Sequence, residues 1–303
     1  MATGQMAMDL GRRERLGERA ATAETYARLV WRRFRRHRLA VIGGSAAAFL
    51  SLVAVLAPWL APYRPEQISL ADRWGVPSRT HPFGTDELGR DVFSRAMHAG
   101  RISLSVGYLS ALGVAVVGTV AGVAAGYYGG LTDSVLMRVV DILLSVPTIP
   151  LYLIMAALLP GGGVARIIFI FVLFGWTGVS RLVRSQVLSL RQQDFVEAAR
   201  ALGASELRIM LRHLVPNAMA PIIVATTLAV GGFILGESAL SYLGLGIQPP
   251  TPSWGNMLQR AQEYVLNASW LAIFPGVLIF ITVLSFNFLG DGLRDALDPR
   301  LKI

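Results

Sequence analysis

Charged residues are spread unevenly along the 303-residue chain, and the intervals that lack them, 39–63, 102–132, 142–165, 167–180, 213–236 and 264–290, are almost continuously apolar. A helix rises about 1.5 Å per residue and a bilayer's hydrocarbon core is roughly 30 Å thick, so about 20 such residues cross it. The pattern therefore predicts six transmembrane helices. The fourth interval is short, but Arg166 and Arg181 stand at its two ends, where long side chains can snorkel to the headgroups. Runs such as IIFIFVLFGW and LIFITVLSFNFLG lack the alternation of a membrane β-strand, which leaves an all-α polytopic membrane protein.

These intervals divide the chain into an Arg-rich N-terminal segment, 1–38, a first transmembrane helix, 39–60, and an outer loop, 61–102, with an amphipathic helix from about Asp86. A five-helix core, 103–290, follows, containing a charged segment at 194–216 and a Pro/Gly-rich outer loop at 241–264, and a tail, 291–303, closes the chain. Placing both termini inside puts sixteen arginines and lysines beside the spans on the inner side against eight on the outer, which supports an N-in, C-in orientation. Ten arginines lie between Arg12 and Arg38, and the block RLVWRRFRRHR runs directly into the first apolar interval. That placement reads as a topogenic signal with attraction to anionic membrane lipid, not as a nucleic-acid arm. The apolar segment that follows is too long for a cleaved signal peptide.

Composition agrees: 53% of residues are hydrophobic and 16% charged, against about 25% charged in soluble domains. There is no cysteine, which removes disulfides, thiolate catalysis and cysteine-ligated metals, and four scattered histidines make a poor metal constellation. The single lysine is Lys302, so the phosphate-cradling loop G-x-x-x-x-G-K-[ST] is absent. Asp141 follows Arg138 at a spacing that lets the two pair on one helix face, and Glu237 closes the fifth interval; both read as interfacial charges. Ser145, Thr148, Thr226, Thr227 and Glu237 are candidates to line a pathway, or to pack the bundle. With no convincing catalytic carboxylate pair or Ser/His/Asp set, a channel or an externally powered permease remains.

Two stretches interrupt this apolar pattern. In DFVEAARALGASELRIMLRHLVPNA, residues 194–218, Asp194 is placed to cap a first helix with Glu197 reaching back. Gly203 can end that helix in a left-handed conformation, and Ser205 can cap a second helix that stops near Pro216. Phe195, Ala198, Ala199 and Leu202 share one face, which suits either the membrane surface or the close approach of another protein. In SYLGLGIQPPTPSWGNMLQRAQEY, residues 241–264, prolines and glycines around Trp254 predict a non-helical backbone, tolerated at membrane depth only when buried in protein or lining water. An interfacial loop with an aromatic anchor is the plainer reading of the same residues.

EAARALGASELRIMLRHLVP resembles the EAA signature of ABC importer permeases, with Glu197, Ala198, Ala199, Gly203 and Pro216 at its spacing. His213 and Val215 stand where the general pattern has isoleucine and leucine; a histidine there is usual in the peptide branch. HPFGTDELGRDVFSR (81–95), GESALSYLGLGIQPPTPSWGNML (236–258) and FNFLGDGLRDALDPRL (286–301) are similar to the C-type subunit of the dipeptide/oligopeptide/nickel permeases. The resemblance spans roughly residues 35–301. It implies the transmembrane domain of a type I ABC importer in a bacterial or archaeal cytoplasmic membrane. Its partners would be a homologous B-type permease, two ABC ATPase subunits and an extracytoplasmic solute-binding protein. ATP and magnesium would sit in the ATPases, with no cofactor held by this chain.

In that family the EAA helix seats in the ATPase, which assigns ATPase coupling to Glu197, Ala198, Ala199, Arg200, Leu202, Gly203, Ala204, Ser205, His213 and Pro216. The segments 81–101 and 241–258 would form an outer gate and binding-protein contact through Asp86, Gly89, Arg90, Asp91, Glu237, Gly244, Pro249, Pro250 and Trp254. A gated channel or ion-coupled carrier, and a scaffold subunit without a pathway of its own, are the alternatives. Neighbouring genes for two P-loop ATPases, a second permease and a binding protein would tell an importer from a channel or carrier, and a scaffold would be favoured if purified complexes moved substrate without this chain.

Overall fold

A computed structural model describes residues 26–298; residues 1–25 and 299–303, and with them Arg12, Arg300, Lys302 and the end of the 286–301 motif, lie outside the described part. Among the described residues the regular structure is helical, apart from one isolated antiparallel bridge between Thr85 and Asp91. A short basic helix α1, Tyr26–Arg36, leads into α2, Arg38–Leu60, at His37, whose extended backbone breaks the helix and whose Nδ1 accepts from the Ala40 amide. The remaining long helices are α3, Val92–Tyr128, α4, Gly130–Leu144, α5, Thr148–Leu158, and α6, Val164–Leu190. After a break come α7, Asp194–Ala201, α8, Glu206–Ile209, α9, Val215–Tyr242, α10, Trp254–Ala261, and α11, Trp270–Leu297.

Five helices are long and apolar enough to cross a membrane singly, and α4 with α5 makes a sixth span when the pair, bent by 88°, is taken as one. The uninterrupted third span expected over 142–165 is corrected by this bend. Its cause is Pro147, which has no amide to donate and disfavours helical backbone at Val146, so the chain turns at 145–147 before α5 begins. The fourth span is also longer than its charge-free interval: α6 has 27 residues and carries Arg181 and Arg184 inside it. Their charges are met by Asp141 and Asp133 of α4, so neither arginine has to end the helix. Asp141 thus pairs across helices with Arg181, not with Arg138 on its own.

A separate amphipathic helix from about Asp86 is likewise corrected. Residues 81–91 form turns, and the helix begins at Val92, where Asp91 accepts the Ser94 amide at 2.7 Å. From there α3 runs unbroken for 37 residues, roughly 55 Å, so the expected outer helix and the second span are one rod.

The most extensively packed helix pair is α3 with α6. A Cβ at Gly118, Gly122 or Gly126 of α3 would come within 2.6–2.8 Å of Ser180, Val183, Val179 or Val187 on α6. Glycine at every fourth position lets the two backbones approach to a distance no larger residue permits. Helix α9 packs against α3, α6 and α11, and α2 lies on α11, where a Cβ on Gly292 would overlap Ala40. Both described ends of the chain, α1 and the last turn of α11, therefore share one end of the bundle, the near end. The Arg33 guanidinium joins them by donating to the Asp298 carbonyl at 2.8 Å.

Candidate functional site

The charged segment 194–216 lies at the near end. Helix α7 starts with Gln193, not Asp194, as its cap, and no side chain closes it; Asp194 is already helical and acts only as a negative charge in the first turn. The expected Asp194 cap is therefore corrected. Gly203 does end the helix in a left-handed conformation (φ +77°). Its amide donates to Arg200 O at 3.0 Å and the Ala204 amide to Ala199 O at 3.1 Å, so the last carbonyls are satisfied. Ser205 then accepts from the Arg208 amide at 3.4 Å and opens α8.

The second helix does not stop near Pro216. A five-residue π turn, Met210–Leu214, joins α8 to α9, and Glu206–Tyr242 is one 37-residue helix. The widened turn accounts for this: Pro216 has no amide to donate, and the extra residue moves its ring away from the carbonyl one turn back. The Asn217 side chain donates to the His213 carbonyl at 2.6 Å.

Val196, Ile209 and Leu214 are buried and pin the segment to the bundle. Ala199, Ala204 and His213 are half-buried, His213 facing Phe195 with ring centroids 6.4 Å apart. Glu197, Ala198, Arg200, Leu202, Gly203, Ser205 and Pro216 are exposed. So are Phe195, Leu202, Leu207 and Leu211, Leu202 by 88%, an apolar surface around the Gly203 elbow that no described residue covers. The elbow is held from behind: Arg191 donates to Gly126 O at 3.0 Å and Tyr127 O at 3.3 Å, and Glu206 sits beside the Tyr128 hydroxyl, all at the end of α3.

The far end holds the other group of residues. Glu237 is not an interfacial charge: it is fully buried, receiving Ser103 Oγ at 2.9 Å and Ser241 Oγ at 2.6 Å, with Ser253 beside them. Ser103 in turn accepts the Trp254 amide at 3.2 Å, and the Trp254 indole donates to Ala96 O at 3.0 Å. One carboxylate thereby joins α3, α9 and the loop after α9. That loop is irregular only to Ser253; a reciprocal capping box between Ser253 and Asn256 starts α10, which corrects the expectation of a non-helical 241–264.

Beside it, Asp86 accepts the amides of Leu88 and Arg90 at 3.0 Å each and the Arg90 guanidinium at 2.7 Å, with Arg95 at 3.6 Å. Asp91 holds His81 Nδ1 at 2.9 Å while capping α3. Gly89 (φ +71°) lies so close to the Ser69 carbonyl that a Cβ would overlap it. Gly244 is half-buried and left-handed (φ +80°), and Pro249 and Pro250 are exposed. Of the nine outer residues, Asp86, Gly89, Asp91, Glu237 and Trp254 are buried within this chain and Arg90 is half-buried, so most of the group builds the cover over the bundle and leaves the prolines on its surface.

Ser103, Asn256 and Arg166, which donates to four carbonyls of the α5 end and the 245–246 turn, belong to this end too and were not singled out from sequence. The Ser-x-x-Asn spacing at 253–256 is a capping signature visible in the chain; nothing in the sequence announces the partners of Ser103 or Arg166. Among the described residues no group of three or more His, Asp or Glu could hold a metal. Ser145 and Thr148 flank the α4–α5 bend, and the Thr226 and Thr227 hydroxyls donate to carbonyls four residues back on α9.

Residues 118–303 match the family described as binding-protein-dependent transport system inner membrane component, and residues 25–79 match the N-terminal TM domain of oligopeptide transport permease C. Proteins named glutathione transport system permease protein GsiD, from Escherichia coli O6:K15:H31 and from Shigella boydii serotype 4, are each 45% identical over 273 residues, 90% of this chain and 90% of theirs. The counterpart from Shigella dysenteriae serotype 1 is 44% identical over the same length. In fold the chain is similar to a chain of the MetNI methionine ABC transporter solved in inward facing conformations, at a TM-score of 0.53 and 19% identity, covering 67% of this chain and 97% of that one.

Proposed function

The chain belongs to the family of binding-protein-dependent inner membrane transport components and is a permease subunit of an ATP-driven importer, and on that premise we propose that it imports a small peptide or a peptide-like solute, with the 194–216 elbow as its contact to the ATPases. The observation that carries the coupling assignment is the Gly203 elbow: its apolar residues are exposed, its base is buried, and its second helix is continuous with α9. A protein groove that covers Phe195, Leu202, Leu207 and Leu211 removes apolar surface from water and gains a lever that ends in the membrane. Glutathione, named in the relatives, is the first solute to try.

The assembly we infer has a homologous B-type permease beside this chain, two ABC ATPases below and a solute-binding protein above, in a bacterial or archaeal cytoplasmic membrane with both termini inside. ATP and magnesium belong to the ATPases. Closure of the ATPase pair pushes on the elbow; because α8, the π turn and α9 form one helix, the push travels along α9 to Glu237, about 46 Å away by helical rise. There the same helix is bonded to α3 and to the 241–254 cover, so movement of the elbow alters the outer face where a binding protein delivers solute.

The chain has no cysteine, so Leu202→Cys provides a unique crosslinking site. In the intact complex it should capture an ATPase subunit, and ATP-dependent uptake of labelled glutathione should follow binding-protein addition in proteoliposomes. Capture of no ATPase by a complex that still transports would overturn the coupling assignment; ATP-driven uptake of other solutes but not glutathione would overturn only the substrate.

A further inference from the structure

Asp141 of α4 is paired with Arg181 of α6, and Tyr152 of α5 lies against Phe171 of the same helix with ring centroids 4.8 Å apart. The bend at 145–147 falls between these two contacts, so it is level with the middle of α6, a helix of 27 residues. Every residue from Leu144 to Pro150 is exposed. Pro147 and Pro150 have no amide to give. Among the described residues nothing meets the amides of Val146, Thr148 and Ile149 or the carbonyls of Leu144 and Ser145.

These bare groups decide what can cover the bend. Lipid tails offer no hydrogen bond, so irregular backbone at membrane depth is either buried in protein or lines water. The described residues do not bury it. A membrane helix of a neighbouring subunit has its own amides and carbonyls bonded internally and offers side chains alone, whereas water supplies donors and acceptors together. The neighbouring side chains point the same way. Asp141 and Arg181 form an ion pair in which each member is half exposed, and Ser145 is one turn beyond Asp141 on α4. Gly178 is one turn from Arg181 on α6, and a Cβ there would meet nothing within 4 Å. A half-exposed carboxylate and guanidinium suit acyl chains no better than bare backbone does.

We propose that the α4–α5 bend and the Asp141–Arg181 pair line the aqueous import path, and that the pair contacts a zwitterionic solute as it crosses. This rests on the permease reading of the chain and gives that reading a place in the bundle. The wall carries one fixed charge of each sign, with the Thr148 hydroxyl and the bare backbone groups beside them. A small peptide finds a counter-charge for its carboxylate at Arg181 and for its ammonium at Asp141, so one internal pair is exchanged for two. A solute with a single charge replaces only one of the two partners. Discontinuous membrane helices flank solute sites in other transporters for the same reason, since their freed backbone needs a polar neighbour.

Because the chain has no cysteine, Ser145→Cys and Thr148→Cys each give it a single thiol. The complete complex carrying either is reconstituted in proteoliposomes and treated with a permanently charged methanethiosulfonate, and the mass of this chain is read with and without ATP. Both thiols should be modified in at least one nucleotide state, and faster than Leu52→Cys, which is exposed on α2. Protection of both in every state, or modification no faster than at Leu52→Cys, overturns the water path. The solute contact is read from ATP-driven uptake of alanyl-glutamine, neutral overall, and of alanyl-glutamate, which carries one more carboxylate. Arg181→Gln should lower kcat/KM for alanyl-glutamate about fivefold relative to alanyl-glutamine, the size of one charge contact in water, and Asp141→Asn should move the ratio the other way. Equal losses for the two peptides, the result of a pair that only holds α4 to α6, overturn the contact. Modified thiols in a complex that imports neither peptide would instead remove the peptide reading and leave the water path in place.

Discussion

Ser103 on α3 and Glu237 on α9 are 134 positions apart in the chain, and the serine hydroxyl donates to the glutamate carboxylate at 2.9 Å inside the bundle. The same serine accepts the Trp254 amide, so the bond closes a three-way junction between two membrane helices and the outer cover.

Glu237→Gln keeps the shape and an acceptor oxygen, and the variant should retain the cover. Glu237→Leu leaves the hydroxyls of Ser103 and Ser241 without their acceptor, at about 1–3 kcal/mol for each group that finds no other partner. The expected result is faster amide exchange and easier proteolysis across 243–253 in Glu237→Leu only. Equal protection in both variants would remove the junction's role in holding the cover.

Just before the other end of that continuous helix, Gly203 adopts φ +77°. A β-branched side chain there costs on the order of 1–2 kcal/mol in backbone strain. A Cβ at that position meets nothing within 4 Å, so the cost is in conformation and not in packing. Gly203→Val should insert into the membrane normally and lose ATPase co-purification or ATP-dependent uptake, while Gly203→Asn should keep most of both. Wild-type uptake by Gly203→Val would count against the elbow.

The seam between α3 and α6 responds to size. A Cβ on Gly122 would stand 2.6 Å from the Ser180 carbonyl and 2.7 Å from Val183 Cβ. Gly122→Ala should cost about 1–3 kcal/mol, the range of overpacked cores, and Gly122→Leu should abolish folded protein. Melting temperature of the purified complex for the alanine variant, and its yield for the leucine variant, measure this; an unshifted melting temperature would mean the helices separate freely.

Arg166 spends its guanidinium on the carbonyls of Ala156, Leu159, Leu245 and Gly246. Arg166→Met preserves the apolar stem and removes every donor, so the α5 end and the 245–246 turn should exchange amide hydrogens several-fold faster, as expected when charge-assisted bonds of about 1.5–3 kcal/mol are lost. Arg166→Lys should restore only part of the protection, because a single ammonium cannot span both groups. Unchanged exchange in Arg166→Met would show that the turn holds without it.

What could be read in the chain divides along the range of the interactions. Gly203 and Ser205 were legible because a left-handed glycine and a serine cap act within a few residues. Most spans were legible because desolvation of charge acts wherever a charge sits. Local rules fail where a distant partner overrides them. Arg181 marks a helix end by charge spacing alone, but Asp141 opposite it keeps it inside the helix, and Glu237 reads as interfacial by position, but three hydroxyls enclose it. Pro216 looked like a stop, but a π turn absorbs it, and sequence spacing alone does not distinguish a helix that ends at proline from one that widens around it. The Gly118, Gly122, Gly126 repeat was present in plain view, and charge spacing was the wrong lens for it.

The unbroken helix from Glu206 to Tyr242 also carries a constraint of phase. Each residue turns a helix by about 100°, so deleting one residue between Pro216 and Gly236 would swing Glu237 a quarter-turn or more away from Ser103 while leaving every side chain in the chain chemically unchanged. Substitutions along this stretch can be graded by size and polarity; its length admits no gradation, since the two ends of the protein are in register at one count of residues and out of register at the next.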